Sequence, residues 1–386
     1  MSIISTILNQ ASFINFGLAI LTYFSSILAL LLAFTFPHNK NILRITISLL
    51  VFFSLVQILI GLFQLYRTFG FSMVNPFSIT TAAGDFFTGF LGNSHLLALK
   101  LFFLATILTF LWWGTKKKKY LIYTIFVILG WLLASAIHSI ILAIITIIFY
   151  TLLSNKLKRR KLKIFIYAFG AIIVIFTLTS VIQPGNIDYA KNQMSSLLNK
   201  DDSLRIRKLT GLKNTLFKLP QEKFYAPIIG VGLGSYSSRA AMITSGEYLR
   251  HHPSFIPIIP SKETKKFILP LWNRELLKNK WNHGVSNQPF SSWQSIYGEV
   301  GFIGLIIFLF VFFNNIKVFS FLLNNCKDKY ICSIASGMLF FTIYLFFLLF
   351  MDNWLEYPRL MIPYWLITGL LLKEMASVKK KKNEKI

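Results

Sequence analysis

Disulfide chemistry is the first thing this chain cannot support. It holds two cysteines in 386 residues, Cys326 and Cys332, too few to build a framework. Charge is scarce as well. Only 14% of the residues are charged, where a soluble domain carries about 25%. Carboxylates are rarer still, 14 Asp and Glu against 40 Lys and Arg. This shortage excludes an ordinary water-soluble enzyme and a disordered chain. Familiar signatures are missing too: HExxH, CxxC, GxSxG and the Walker sequence do not occur.

Apolar residues are what is abundant. The chain is 55% hydrophobic and 16% aromatic, with a mean hydropathy of +0.60. A membrane span needs about 20 apolar residues. Runs at 12–36, 45–66, 96–114, 121–135, 139–154, 164–183, 299–323, 331–351 and 358–372 predict about nine. The first residues carry no basic stretch, and the first apolar run is long enough to span, so no cleaved leader is expected. The fold class is therefore an all-α polytopic membrane protein.

In such a chain the location of charge matters more than the net +26, and nucleic acid is not an expected partner. Basic clusters sit at Lys40 and Arg44, at Lys116–Lys119, at Lys156–Lys163, at Lys317, Lys327 and Lys329, and in the tail from Lys373. Short basic loops stay in the cytoplasm. All five clusters share that side only if residues 120–153 form two short spans broken near Ala134–Ser139. The resulting map has an N-terminal bundle (1–183), a large extracytoplasmic loop (184–297), a C-terminal bundle (298–373) and a basic cytoplasmic tail (374–386). The expected location is an inner or plasma membrane, crossed many times.

The large loop holds 16 Lys and Arg against seven Asp and Glu. Long loops are exempt from the charge rule; the excess reflects either an anionic partner or lysine-rich composition. Asp201-Asp202-Ser203 can cap a helix over about 204–216. Leu209, Leu212 and Leu216 would form one stripe of it, with Arg205 on the same face and Arg207 turned away. A guanidinium in an apolar stripe needs an anion. That anion is either a phosphate, which matches its fork, or a loop carboxylate such as Glu222 or Glu275.

Further along, Gly230-Val-Gly232-Leu-Gly234-Ser-Tyr236 lacks the βαβ context of a nucleotide fingerprint. Its glycines allow a tight turn, and its N–H groups can line an anion site. Acid–base candidates are His251, His252, His283 and Glu299, each alternatively a solvated or structural residue. Trp281, Asn282, Asn287 and Trp293 flank His283. His95 and His138 lie in or beside spans, as functional or as paired structural groups. No Asp-x-Asp occurs in an outer segment, so no metal is expected.

Three patches carry a resemblance. They are Thr88-Gly89-Phe90-Leu91-Gly92-Asn93-Ser94-His95-Leu96-Leu97-Ala98, the run from Ser203 through Arg205 or Arg207 to Pro227…Tyr236, and Gln288-Pro289-Phe290-Ser291-Ser292-Trp293…Glu299-Val300-Gly301-Phe302-Ile303-Gly304. Their order and many-span frame resemble the O-antigen ligase and O-antigen polymerase family (Wzy-type polymerases and relatives), over roughly residues 67–310. A histidine-asparagine pair common in that family is replaced by Phe290 and Ser291, which favours a polymerase over a lipid-core ligase.

The resemblance implies transfer of a glycan from an undecaprenyl-diphosphate carrier to a sugar hydroxyl, in surface polysaccharide synthesis. It implies a metal-independent membrane glycosyltransferase with no cofactor. Its partners would be the lipid-linked oligosaccharide, the bilayer and other polysaccharide-assembly membrane proteins. Arg205 and Arg207, then Arg239 and Arg250, would hold the departing diphosphate, with help from Gly230, Gly232 and Gly234. His283, then His252, then Glu299, would be the base. Tyr236, Trp293 and Asn93 complete the expected binding set. The rival within the family is a ligase or protein O-oligosaccharyltransferase; the rival of another class is a flippase, which the large outer loop and few intramembrane charges disfavour.

Overall fold

The computed structural model describes residues 2–37, 40–70, 86–134, 137–153, 170, 177, 207–248, 252–278 and 288–384. Among the described residues every regular element is helical. In chain order these include α1 (Ser2–Leu8), α2 (Phe13–Phe24), α3 (Leu28–Thr35), α4 (Lys40–Phe69), α5 (Ser94–Thr115), α6 (Lys118–Leu133) and α7 (Ile137–Leu153). After them come α8 (Arg207–Lys213), α9 (Arg239–Thr244), α10 (Ser292–Asn325), α11 (Lys329–Leu348) and α12 (Pro358–Asn383).

Helices α4, α5, α10 and α11 are long and apolar enough to cross a membrane; α2 and α3, bent by 48°, add a fifth span if the pair crosses as one. These helices point to a membrane-embedded protein. By length and composition they account for four to five of the nine spans the sequence predicts. Helix α6 ends at Leu133 and α7 starts at Ile137, and they have only 16 and 17 residues. At 1.5 Å per residue that reaches about 25 Å, short of a ~30 Å hydrocarbon core. Lys373 and Glu374 cut the apolar stretch of α12. Residues 164–183 lie outside the described residues.

The chain divides into two compact units, residues 1–31, 193–314 and 348–365 in one, and 32–192, 315–347 and 366–386 in the other. In the second unit α5 and α11 are the enclosed helices: 72% of the apolar stretch of each is buried, against 22% for α4. Gly337 of α11 lets the backbones close up, since a Cβ there would meet the Ile107 backbone at 2.9 Å. The polar residues of α4 have structural duties. Gln64 Oε1 accepts from the Thr88 and Gly89 N–H groups at 3.1 and 2.9 Å, and Gln57 Oε1 accepts from Phe90 N at 2.7 Å. Asn93, expected in the binding set, caps α5 by accepting from Leu96 N at 2.9 Å.

The first unit has its own apolar core of Leu219, Val231, Tyr236, Met242, Phe267, Ile268, Trp272 and Phe290. The helix expected over 204–216 is described from Arg207, and it passes at Asn214–Lys218 into a π turn. Its leucine stripe does not face the core. Leu209 and Leu216 are exposed, whereas Gly211, Asn214 and Thr215 are buried. The reason is a close backbone approach: a Cβ on Gly211 would lie 2.2 Å from the Pro289 carbonyl oxygen, so only the small-residue face fits.

Helix α10 also begins earlier than the span predicted from residue 299. It starts at Ser292 and breaks at Gly301, whose φ of 67° and ψ of −168° are not helical. That left-handed φ suits glycine, and a Cβ there would meet Ile228 O at 2.3 Å. The N-terminal helix α1 belongs to the same unit. Ser5 Oγ donates to Gly230 O at 3.0 Å, and Lys223 Nζ and Tyr225 Oη donate to Asn9 Oδ1 at 2.8 and 2.9 Å.

Candidate functional site

All three glycines of the 230–234 loop have positive φ: 75°, 104° and 77°. The turn they make lays alternate N–H groups against a single buried carboxylate. Gly234 N donates to Glu299 Oε2 at 2.7 Å; Tyr236 N and Ser238 N donate to Oε1 at 3.1 and 3.0 Å. Val231 N and Gly232 N are taken by Gly298 O and Glu299 O, at 2.9 and 3.1 Å. The loop does surround an anion, as its sequence suggested, but the anion is the chain's own. The glycine motif and the Glu299 motif are two halves of one structure, which spends the N–H groups expected to meet a ligand. Glu299 thereby holds the 234–238 backbone in place.

A second carboxylate continues the pattern. Both oxygens of Glu356 accept from Arg239 N, at 3.0 and 2.9 Å, and Oε2 also accepts from Thr22 Oγ1 at 3.1 Å. Burial, with Glu299 nearby, pushes Glu356 up to about 8. Glu356 ends the short turn that links α11 to α12. Asn353 fastens that turn by donating to Ser237 O at 2.7 Å and accepting from Ser295 Oγ at 3.1 Å.

Asp352 opens the same turn. Its oxygens face the Gln288 amide nitrogen at 2.9 and 3.1 Å, and Oδ1 accepts from Asn353 N at 2.6 Å. Burial pushes its carboxyl up to about 6 against the pull of Lys208, Asn353 N–H and Arg239. Burial pushes Lys208 down to about 8, with Asp352 acting in the opposite direction. The Lys208 ammonium donates to Phe290 O and Met351 O at 2.8 and 2.6 Å.

Arg239 fixes its backbone on Glu356 and sends its guanidinium elsewhere. The group lies 4.4 Å from the Tyr357 ring centroid and 6.0 Å from that of Tyr248, a cation–π arrangement. The two tyrosines join hydroxyl to hydroxyl at 2.7 Å, and burial raises both above the ordinary phenol range. Arg239 Nε is buried with no hydrogen-bond partner, and so is Arg207 Nη1. A buried N–H without a partner costs about 1–3 kcal/mol, so both arginines carry unspent donors. Lys208, Arg239, Tyr248, Asp352 and Tyr357 thus form one mutually interacting cluster.

Other expected residues have different fates. Tyr236 is a core residue whose hydroxyl meets Thr215 Oγ1 at 2.8 Å. Trp293 is buried among Phe308, Phe312 and Phe350, with ring centroids 5.5, 6.4 and 5.8 Å away. Neither ring is open for stacking on a sugar; the physical reason is that both fill apolar cores. His252 Nε2 is 2.6 Å from Ile256 O, and since a carbonyl only accepts, that nitrogen is the donor. Arg205, Arg250, His251 and His283 lie outside the described residues. His95 and His138 come together in the second unit, ring centroids 5.1 Å apart.

Sequence reasoning missed Lys208, Tyr248 and the whole Asp352–Tyr357 turn, which it read as a plain connection. One signal was there to find: in a chain with only 14 carboxylates, two of them, Asp352 and Glu356, stand at the ends of one five-residue stretch between apolar runs. Among the described residues no three His, Cys, Asp or Glu side chains gather as a metal site would require. No protein-family model, curated protein or solved structure matches this chain.

Proposed function

We propose that the chain is a polytopic membrane glycosyltransferase that joins lipid-linked oligosaccharide repeat units. It would take the growing glycan from an undecaprenyl-diphosphate carrier and pass it to a sugar hydroxyl on the outer face of an inner or plasma membrane. In this reading the short helices α6 and α7 are separate crossings, the 184–297 loop is extracytoplasmic and the C-terminus is cytoplasmic.

The observation that carries the proposal is Arg239. Its guanidinium is stacked on Tyr357 and Tyr248, holds an unpartnered Nε, and has no carboxylate within ion-pair reach among the described residues. Asp352 and Glu356 feel its charge without pairing with it directly; a diphosphate would accept from the free guanidinium donors, and Arg forks match phosphate oxygens. In the transfer, the bond from the anomeric carbon to the carrier phosphate breaks, and its electron pair leaves with the diphosphate. The acceptor oxygen bonds to that carbon and its proton passes to a base. Asp352, within the electrostatic field of Arg239 and held near neutrality, fits that base. His283, the first choice for that base from the sequence, lies outside the described residues.

Two measurements test this reading. Deleting the gene should leave single repeat units on the outer surface and abolish long surface polysaccharide. An unchanged length distribution rules the polymerase out, and repeat units trapped inside point to a flippase instead.

The second measurement is a pH profile of glycan extension by the purified protein. A base works as its carboxylate, so extension should fall as the pH drops through about 6, and Asp352→Asn should remove most activity and flatten that limb. The sign for stability is the reverse. A carboxyl raised in the folded state stabilises the fold below its unfolded value and loses that contribution as the pH rises through its folded one. Loss of extension on acidification therefore separates the proton-transfer role from unfolding. An acid limb unchanged in Asp352→Asn assigns the base elsewhere.

A further inference from the structure

The second unit holds a cleft, about 270 Å³ in volume, that plays no part in the proposed transfer. Arg44 and Ser48 of α4, Thr115 at the end of α5, Lys117 in the turn after it, Lys119 and Tyr120 of α6, and Tyr330 of α11 line it. It lies where the ends of four apolar helices meet. Three of its seven lining residues are cations and none is acidic.

The cations are arranged around two rings. The Arg44 guanidinium lies 5.6 Å from the Tyr330 ring centroid, the Lys119 ammonium 5.2 Å from that of Tyr120, and the rings are 6.5 Å apart. Among the described residues no carboxylate is within ion-pair distance of Arg44, Lys117 or Lys119. The neighbouring Asp328 accepts from the Tyr330 N–H at 2.9 Å, a helix-capping duty.

An apolar run leads directly out of the cleft. On α4, Ile45, Leu49, Phe52 and Phe53 are 57%, 50%, 59% and 59% exposed, along the turns that follow Arg44 and Ser48. Cations with tyrosines at the ends of apolar helices sit at headgroup depth. A ligand that is anionic at one end and apolar along its length satisfies both features.

We infer that this cleft binds the phosphate of an anionic phospholipid, with its acyl chains lying along the exposed face of α4. Arg44 takes two phosphate oxygens with its fork, Lys117 and Lys119 neutralise the charge, and the tyrosine rings orient both cations. The chemistry is that of any phosphate, but the apolar run selects the lipid over a free ion. The site holds whether or not the chain transfers glycan, and in either leaflet.

The full-length protein in mixed micelles, titrated with phosphatidylglycerol and followed by native mass spectrometry, tests this. One phosphatidylglycerol should be retained in preference to phosphatidylcholine. Lys117→Ala with Lys119→Ala should weaken that binding about tenfold or more, as should Arg44→Ala. Lys116→Ala with Lys118→Ala removes the same charge from positions beside the cleft and should change binding no more than about twofold. These side chains are exposed, so the variants fold; an unchanged unfolding temperature without lipid checks it. Equal weakening by both lysine pairs would reduce the cleft to diffuse surface charge and overturn the site. So would equal retention of phosphatidylcholine. Displacement of the lipid by millimolar inorganic phosphate makes this a free-anion site and also overturns the assignment.

Discussion

Glu299→Ala should unfold the first unit, not merely silence it. The substitution strips the acceptor from Gly234, Tyr236 and Ser238 N–H groups in buried residues. Each costs about 1–3 kcal/mol when left unmade, so the three together approach the ~5–15 kcal/mol that holds a domain. Glu299→Gln keeps one oxygen but turns an NH2 toward N–H donors, and should be destabilising to a smaller degree. Thermal unfolding and limited proteolysis of the outer segment read both. Wild-type stability with lost glycan extension would instead make Glu299 a catalytic residue, the role the sequence first suggested for it.

Arg239→Ala should have the opposite profile: normal stability and membrane level, with extension reduced about 100-fold or more, the scale seen when a charge-stabilising donor is removed. Its backbone N–H, which donates to both oxygens of Glu356, survives the change. What is lost is the guanidinium on the Tyr357 and Tyr248 rings and its spare Nε–H. Arg239→Lys retains a cation without the planar fork and should recover part of the activity, about tenfold below wild type. Extension kinetics with purified lipid-linked repeat units distinguish the three proteins. Full activity in Arg239→Ala would move the donor site elsewhere, to Arg207 or to the arginines outside the described residues.

The comparison of Glu299 with Arg239 shows what pattern reading can and cannot see. Both were named from the sequence, one as a base and one as a secondary phosphate ligand. Their spacing, 60 residues apart in chain order, carries no information about what each side chain faces. Glu299 turned inward onto the glycine loop, and Arg239 was left with donors to spare. The same limit hid Asp352, Glu356 and Lys208. Their partners are Gln288, Thr22 and the Phe290 carbonyl, from stretches that no local window connects. It also misplaced Tyr236 and Trp293, since an aromatic ring in a loop reads alike whether it stacks on a ligand or fills a core.

Composition and hydropathy by themselves determined the helical class, the long apolar helices and the basic helix ends, because these follow from chain-local transfer energies and 3.6-residue geometry. They also marked the glycine loop as a place of close approach, since positive φ is a property of single residues. Only the tertiary structure decided which anion that loop encloses, which face of α8 is buried, and which arginine keeps unpaired donors. Those outcomes depend on backbone-to-backbone contacts of a few ångströms between distant stretches, such as Gly211 against Pro289 and Gly301 against Ile228. At that range steric exclusion outweighs the preference of any one side chain.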